Sequence, residues 1–168
     1  HWQKDFQKLT SPAYWELNVM IIAIDGPSAS GKSTTAKAVS KKLGFIHLDT
    51  GAMYRAVTLG ISESEIELND YNKVKLYLKS LKIEFDQNDQ IILNGKNVTD
   101  AIRTVKISSN VSKVSAILEV REKMVHIQRN IAGDNNCVLE GRDIGTVVFP
   151  NADFKFFLIA DLTLRAKR

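Results

Sequence analysis

Residues 19 to 24, Val-Met-Ile-Ile-Ala-Ile, are apolar without alternation and end at Asp25. A strand buried on both faces of a parallel sheet has this pattern. A glycine-containing loop follows. From Ser33 the apolar positions Ala36, Val39 and Leu43 recur at helical spacing, and Gly44 supplies the stop expected just past a helix end. Residues 45 to 48 predict a second short strand that runs into Asp49-Thr50-Gly51, and residues 52 to 59 predict a second helix. The opening is therefore a βαβα unit.

The pattern then changes. Asn69 or Asp70 can cap a helix carrying Val74, Leu78 and Leu81, followed by short strands at 83 to 85 and 91 to 93, with Asn94-Gly95 as a tight-turn signal. One long helix is expected over about 108 to 132, with Val114, Ile117, Leu118, Met124 and Val125 on a shared face, until Gly133 breaks it. Sheet-like runs resume at 137 to 139 and 154 to 159. The expected organisation is an α/β core over 20–59 and 135–168, interrupted by an insert over 60–134. Residues 1–19 read as an upstream or non-native extension, with Met20 as the expected native start. A basic helix beginning at Leu164 stops in mid-pattern at Arg168.

Bulk properties narrow the function. No apolar run approaches the roughly 20 residues needed to span a bilayer. Cys137 is the only cysteine, so no intrachain disulfide can form, and a reducing cytoplasm fits. The net charge of +4 comes from dispersed Lys and Arg, not from a basic block interleaved with aromatics, so small polyanions are favoured over nucleic acid as partners. His47 and His126 lack Cys or His partners at ligand spacing, so surface or satisfied core histidines are expected and no structural metal.

The strongest chemical signal is Gly26-Pro27-Ser28-Ala29-Ser30-Gly31-Lys32-Ser33, which matches G-x-x-x-x-G-K-[ST] between a predicted strand and a predicted helix. Such a loop turns its N–H groups toward phosphate oxygens at a helix N-terminus. Residues Gly26 to Ser33 together with Thr34 are the expected ATP-binding set. Lys32 would hold the β/γ-phosphates and Ser33 would ligate Mg²⁺. Glu140, just after the apolar Cys137-Val138-Leu139, occupies the place where P-loop folds often put a carboxylate that holds Mg²⁺ through water. A GTPase would also need D-x-x-G and N-K-x-D, and neither occurs.

Three segments, residues 24–33, Leu48-Asp49-Thr50-Gly51-Ala52-Met53-Tyr54-Arg55, and Glu140-Gly141-Arg142-Asp143-Ile144-Gly145-Thr146-Val147-Val148-Phe149-Pro150, resemble bacterial cytidylate kinases in order and spacing. Leu93-Asn94-Gly95 and Val98-Thr99 to Ile102-Arg103-Thr104 look like the insert that separates this family from adenylate kinases. The resemblance covers residues 20 to 168. It implies a P-loop nucleoside monophosphate kinase-like parallel sheet flanked by helices, with an inserted acceptor-binding module and a mobile lid. It also implies transfer of the ATP γ-phosphate to CMP or dCMP.

By that resemblance Thr50, Arg55, Ser112 and Arg121 would contact the acceptor, Arg103 and Arg142 would bind its phosphate, and Asp49 and Asp143 would orient arginines or CMP. Lys32, Arg142 and Asp143 form the expected catalytic set. Each has a plainer reading: Arg55, Arg121 and Ser112 as ordinary helix residues, Asp49 and Asp143 as a cap or ion-pair partner. The resemblance further implies that the family's later arginines would follow Arg168. Slow phosphoryl transfer by these 168 residues and a monomeric enzyme are therefore expected. The alternatives are a related kinase for UMP, AMP or a shikimate-like acceptor, or a nucleotide-binding fragment without catalysis.

Overall fold

The computed structural model describes residues 19–86 and 88–166. The expected upstream extension, apart from Val19, lies outside the described residues, as do Lys167 and Arg168. The chain divides into two compact units, one ending at Leu48 and resuming at Ala132, the other running from Asp49 to Ile131.

The first unit is built on a four-stranded sheet of β1 (Ile21–Asp25), β2 (Ile46–Asp49), β6 (Cys137–Gly141) and β7 (Phe154–Phe157), in the order β2-β6-β1-β7. β1 pairs in parallel with β6, Ile22 opposite Val138, and with β7, Ile24 opposite Phe156. All five β1 residues are buried, which is why the strand shows no alternation. Helix α1 (Lys32–Leu43) covers β1 and β6. Its Ala36 joins Met20, Ile22, Ile24 and Val138 in the core, with Val39, Leu43 and Phe45 packed against it. Each large aliphatic side chain buried here stabilises the unit by about 1.5–3 kcal/mol. Gly44 ends α1 at φ 70°, the left-handed conformation the stop signal implied.

Cys137 is fully buried in β6, and burial pushes its thiol from 9.0 up to about 11. Tyr77, in the other unit, is pushed up to about 12, first by burial and then by the charge of Glu63. In the unfolded chain both acids lose their protons at lower pH than in the folded one. Their contribution to stability is therefore complete below about pH 9 and is lost as pH rises through the folded values. Denaturation midpoints should fall between pH 9 and 11 and be flat from 7 to 8.5. Cys137 should react with a thiol reagent only on unfolding.

In the second unit, helix α2 (Thr50–Glu63) is capped by Asp49, whose Oδ1 accepts the Ala52 N–H at 2.8 Å. The helix passes through Gly60 instead of stopping near Leu59. Gly60 is there for space: a Cβ would lie 1.7 Å from the Tyr77 hydroxyl of α3 (Tyr71–Ser80). Asp70 caps α3 through the Lys73 N–H, and that hydrogen bond holds its carboxyl below its usual value. β3 (Ile83–Phe85), β4 (Ile91–Leu93) and β5 (Lys96–Asn97) form a small antiparallel sheet. Asn94 and Gly95, at φ 49° and 83°, make the primed turn between β4 and β5. A 3₁₀ turn (Ala101–Arg103) leads to α4 (Val105–Ser115), and α2 packs against α4, β4 and this turn.

The single helix expected over 108–132 is instead two, α4 and α5 (Leu118–Ala132). Ala116 and Ile117 donate to Lys113 and Val114 in i→i+3 bonds, and the Ser115 hydroxyl bonds Ser112 O at 3.1 Å. These local bonds tighten the last turn and compete with continuation. The break shifts the helical phase. α4 buries Ile107 and Val114 and α5 buries Val120 and Met124, while Leu118, expected on the shared face, is 64% exposed.

Candidate active site

Gly26 leaves the end of β1 at φ 151°, and an added Cβ would stand 2.3 Å from the Leu158 carbonyl oxygen. Only glycine fits. Ala29 and Gly31 also have positive φ, 59° and 94°, and the loop so bent delivers Lys32 as the first residue of α1. Gly31 offers no side-chain cap, so no side chain satisfies the first-turn N–H groups of α1 at that position. Residues 29 to 35 line an open cleft of about 510 Å³. Ser30 Oγ is buried there without a hydrogen-bond partner among the described residues. Lys32 Nζ donates to Pro27 O at 2.7 Å, spanning the loop. An orphaned hydroxyl, a helix N-terminus and a cation around one concavity suit a polyphosphate.

Behind the loop, Ser33 Oγ donates to Glu140 Oε2 at 2.6 Å, and His47 Nε2 lies 3.0 Å from Glu140 Oε1. Ser33 and Glu140, each expected separately on sequence grounds to hold Mg²⁺, are thus brought together. The hydroxyl proton goes to the carboxylate and the oxygen lone pairs stay free, the arrangement a hard cation with oxygen ligands needs. These residues fit Mg²⁺.

Asp25 was not singled out from the sequence, yet it organises the neighbouring loop. Its buried carboxylate accepts the Ile144 N–H at 2.9 Å and the Gly145 N–H at 2.8 Å. The π-helical turn Ile144–Val148 is thereby pinned to the end of β1, just after Arg142 and Asp143. Arg142 is exposed. The Asp143 carbonyl accepts the Val147 N–H at 2.8 Å, so Asp143 begins the turn. Asp25→Ala would orphan two buried amides at about 1–3 kcal/mol each. Chemical denaturation should register a loss of about 2–5 kcal/mol, with Asp25→Asn, which can satisfy one amide, in between.

Arg165 was also missed as a contact of the loop: its Nε donates to Ser28 O at 2.9 Å. An isolated arginine in a short basic segment carries no sequence signal for that partner. Asp25 and His47 left a faint one, as polar residues in or next to apolar strand runs that a buried fold must satisfy.

The second unit carries the remaining candidates. Thr50 opens α2 and is 3% exposed. Asp49 both caps α2 and pairs with Arg55, Oδ2 to Nη2 at 3.4 Å, so the plainer reading of Asp49 is realised while its carboxylate also orients the guanidinium. Arg55 Nε is buried without a hydrogen-bond partner among the described residues. Arg103 is exposed and donates through Nε to Thr99 O at 3.3 Å. Ser112 is exposed on α4, and Arg121 is half-buried on α5.

Comparison with known proteins gives one consistent result. The cytidylate kinase family model matches residues 22–168. The chain is 48% identical to a cytidylate kinase of Lactobacillus gasseri over 153 residues, covering 89% of this chain and 66% of that protein. It is 48% identical to one of Fusobacterium nucleatum over 149 residues, covering 89% and 68%, and 50% identical to one of Chloroherpeton thalassium over 152 residues, covering 89% and 64%. The chain spans about two thirds of the length of these curated relatives. No helix among the described residues is long and apolar enough to cross a membrane. With a P-loop, a parallel sheet and a family match over nearly its whole described length, the chain belongs to the cytidylate kinase family.

Proposed function

We propose that the chain binds ATP with Mg²⁺ in the P-loop and serves transfer of the γ-phosphoryl group to CMP or dCMP. The observation that carries this is the loop itself, with an orphaned Ser30 hydroxyl, Lys32 at the start of α1 and Ser33 bonded to Glu140. In the reaction an acceptor phosphate oxygen forms a bond to the γ-phosphorus as the bond to the β,γ-bridging oxygen breaks, and ADP leaves with that oxygen. No protein nucleophile is needed. Mg²⁺, when bound, supplies charge neutralisation between the phosphates. Ser33 would ligate it and Glu140 would hold it through water.

Lys32 would leave Pro27 O for the β/γ-phosphates, and the N–H groups of residues 29 to 34 would take the remaining oxygens. Arg142 and Asp143, on the loop braced by Asp25, would bind and orient the acceptor phosphate. Residues 60–134 are proposed as the core of the acceptor-binding module. Just before them Arg55, held by Asp49, offers a buried Nε without a hydrogen-bond partner among the described residues, suited to a phosphate oxygen. Arg103 and Arg121 would add positive charge, and Thr50 and Ser112 would read the nucleotide. The dispersed charge of +4 supports small anionic substrates over nucleic acid. A monomer is proposed, and a cytoplasmic setting fits the buried, unpaired Cys137.

The test separates the two substrates. Arg55→Ala should raise the acceptor KM by about tenfold or more, as loss of a charge-assisted bond predicts, and leave ATP affinity within about twofold. Equal weakening of both ligands would overturn the assignment.

A further inference from the structure

We propose that His47 is a positioning residue for the metal-holding carboxylate, setting Mg²⁺ affinity without touching metal or nucleotide. This rests on the reading of Glu140 as the carboxylate that holds the ion through water. His47 lies on β2 and Glu140 on the adjacent strand β6, with side chains only 5% and 4% exposed. Glutamate has three side-chain torsions, and ordering them at the moment of metal binding costs entropy. Here both oxygens are already committed: Oε2 accepts from Ser33 at 2.6 Å and Oε1 lies 3.0 Å from His47 Nε2.

A carboxylate can only accept, so His47 presents Nε2–H to it, which fixes the imidazole tautomer. A carboxylate oxygen that accepts one hydrogen bond can accept another, from a metal-bound water. The Ser33 bond holds Oε2 and the His47 bond holds Oε1, so together they set the orientation of the carboxylate. Metal sites depend on such outer partners, whose loss typically lowers metal affinity 10–100-fold.

The experiment uses this chain saturated with a non-hydrolysable ATP analogue, with Mn²⁺ as the probe and electron paramagnetic resonance reporting the free ion. Affinity for the analogue without metal is measured in parallel. His47→Ala should weaken Mn²⁺ binding about tenfold or more while metal-free affinity stays within about twofold. His47→Gln, whose side-chain N–H can reach the same oxygen, should restore most of the loss. Glu140→Gln should weaken Mn²⁺ binding at least as much as His47→Ala. If His47→Ala fails to fold by circular dichroism, His47→Leu, which fills the volume without a donor, takes its place.

Unchanged Mn²⁺ binding in Glu140→Gln overturns the reading of Glu140, and the proposal falls with it. A weakened Glu140→Gln beside an unchanged donor-less His47 variant overturns the positioning role alone. Parallel loss of metal-dependent and metal-free binding, or no rescue by glutamine, makes His47 a packing residue and likewise overturns it.

Discussion

Lys32→Ala should lower kcat/KM for phosphoryl transfer by about 10²–10³-fold, the size seen when one preorganised donor to developing charge is removed. Lys32 starts α1 beside the cleft, and its Nζ donates to Pro27 O at 2.7 Å. That bond stabilises the loop modestly, by about 0.5–1.5 kcal/mol. The Ser33–Glu140 bond and the Asp25 bonds to residues 144 and 145 do not involve Lys32. Thermal melting should therefore shift by only a few degrees while affinity for ATP and turnover collapse. A loss of turnover matched by a comparable loss of stability would mean that Lys32 acts on the fold and not on the phosphates.

Gly26→Ala should have the opposite signature, a large structural effect at a position without functional groups. The residue sits at φ 151°, and the added methyl would meet the Leu158 carbonyl oxygen at 2.3 Å. That oxygen belongs to backbone just beyond β7, whose Leu158 N–H is bonded to Asp25 O at 2.7 Å, so it cannot swing away as a side-chain end could. Strain and overlap together cost about 3 kcal/mol or more. The melting temperature should fall by roughly 6–12 °C for a chain of this size. Nucleotide binding should be lost with it, since the loop must shift to relieve the contact. Gly95→Ala is the control. Its φ of 83° is strained, but nothing lies within 4 Å of the added carbon, so it should cost about 1 kcal/mol and leave nucleotide binding intact.

The two positions illustrate what the sequence could reveal. The P-loop was legible because its chemistry needs a fixed spacing within eight consecutive residues, and β1 and α1 announce themselves on either side by burial pattern and period. The Asn94-Gly95 turn was legible for a similar reason, since few residue pairs accept positive φ twice. Ser33 with Glu140 was legible only as two separate expectations. Their 2.6 Å contact depends on β6 lying beside β1, a pairing set by tertiary packing.

The misses lie where local pattern and tertiary context part. Helical periodicity over 108–132 gave no warning of the break at Ala116 and Ile117, because the i→i+3 bonds and the Ser115 hydroxyl that make it are small local competitors of the helix. The helix expected to end near Leu59 runs on through Gly60, which gives clearance to Tyr77. Asp25 was read as the end of an apolar run, and its role depends on amides about 120 residues later in the chain, beyond the reach of any window. His47 was expected to be a surface or satisfied core histidine, and its partner could not be named until β2 and β6 were adjacent.

The most direct test is acceptor-dependent ADP release from ATP and Mg²⁺, with CMP, dCMP, UMP, AMP and shikimate compared. It should be run on this chain and on this chain joined to the part of the Lactobacillus gasseri relative that it does not cover. Selective stimulation by CMP and dCMP, strongest in the joined form and abolished by Lys32→Ala, is the predicted result. Preference for another acceptor, or no acceptor-dependent ADP release in the joined form, would contradict the account.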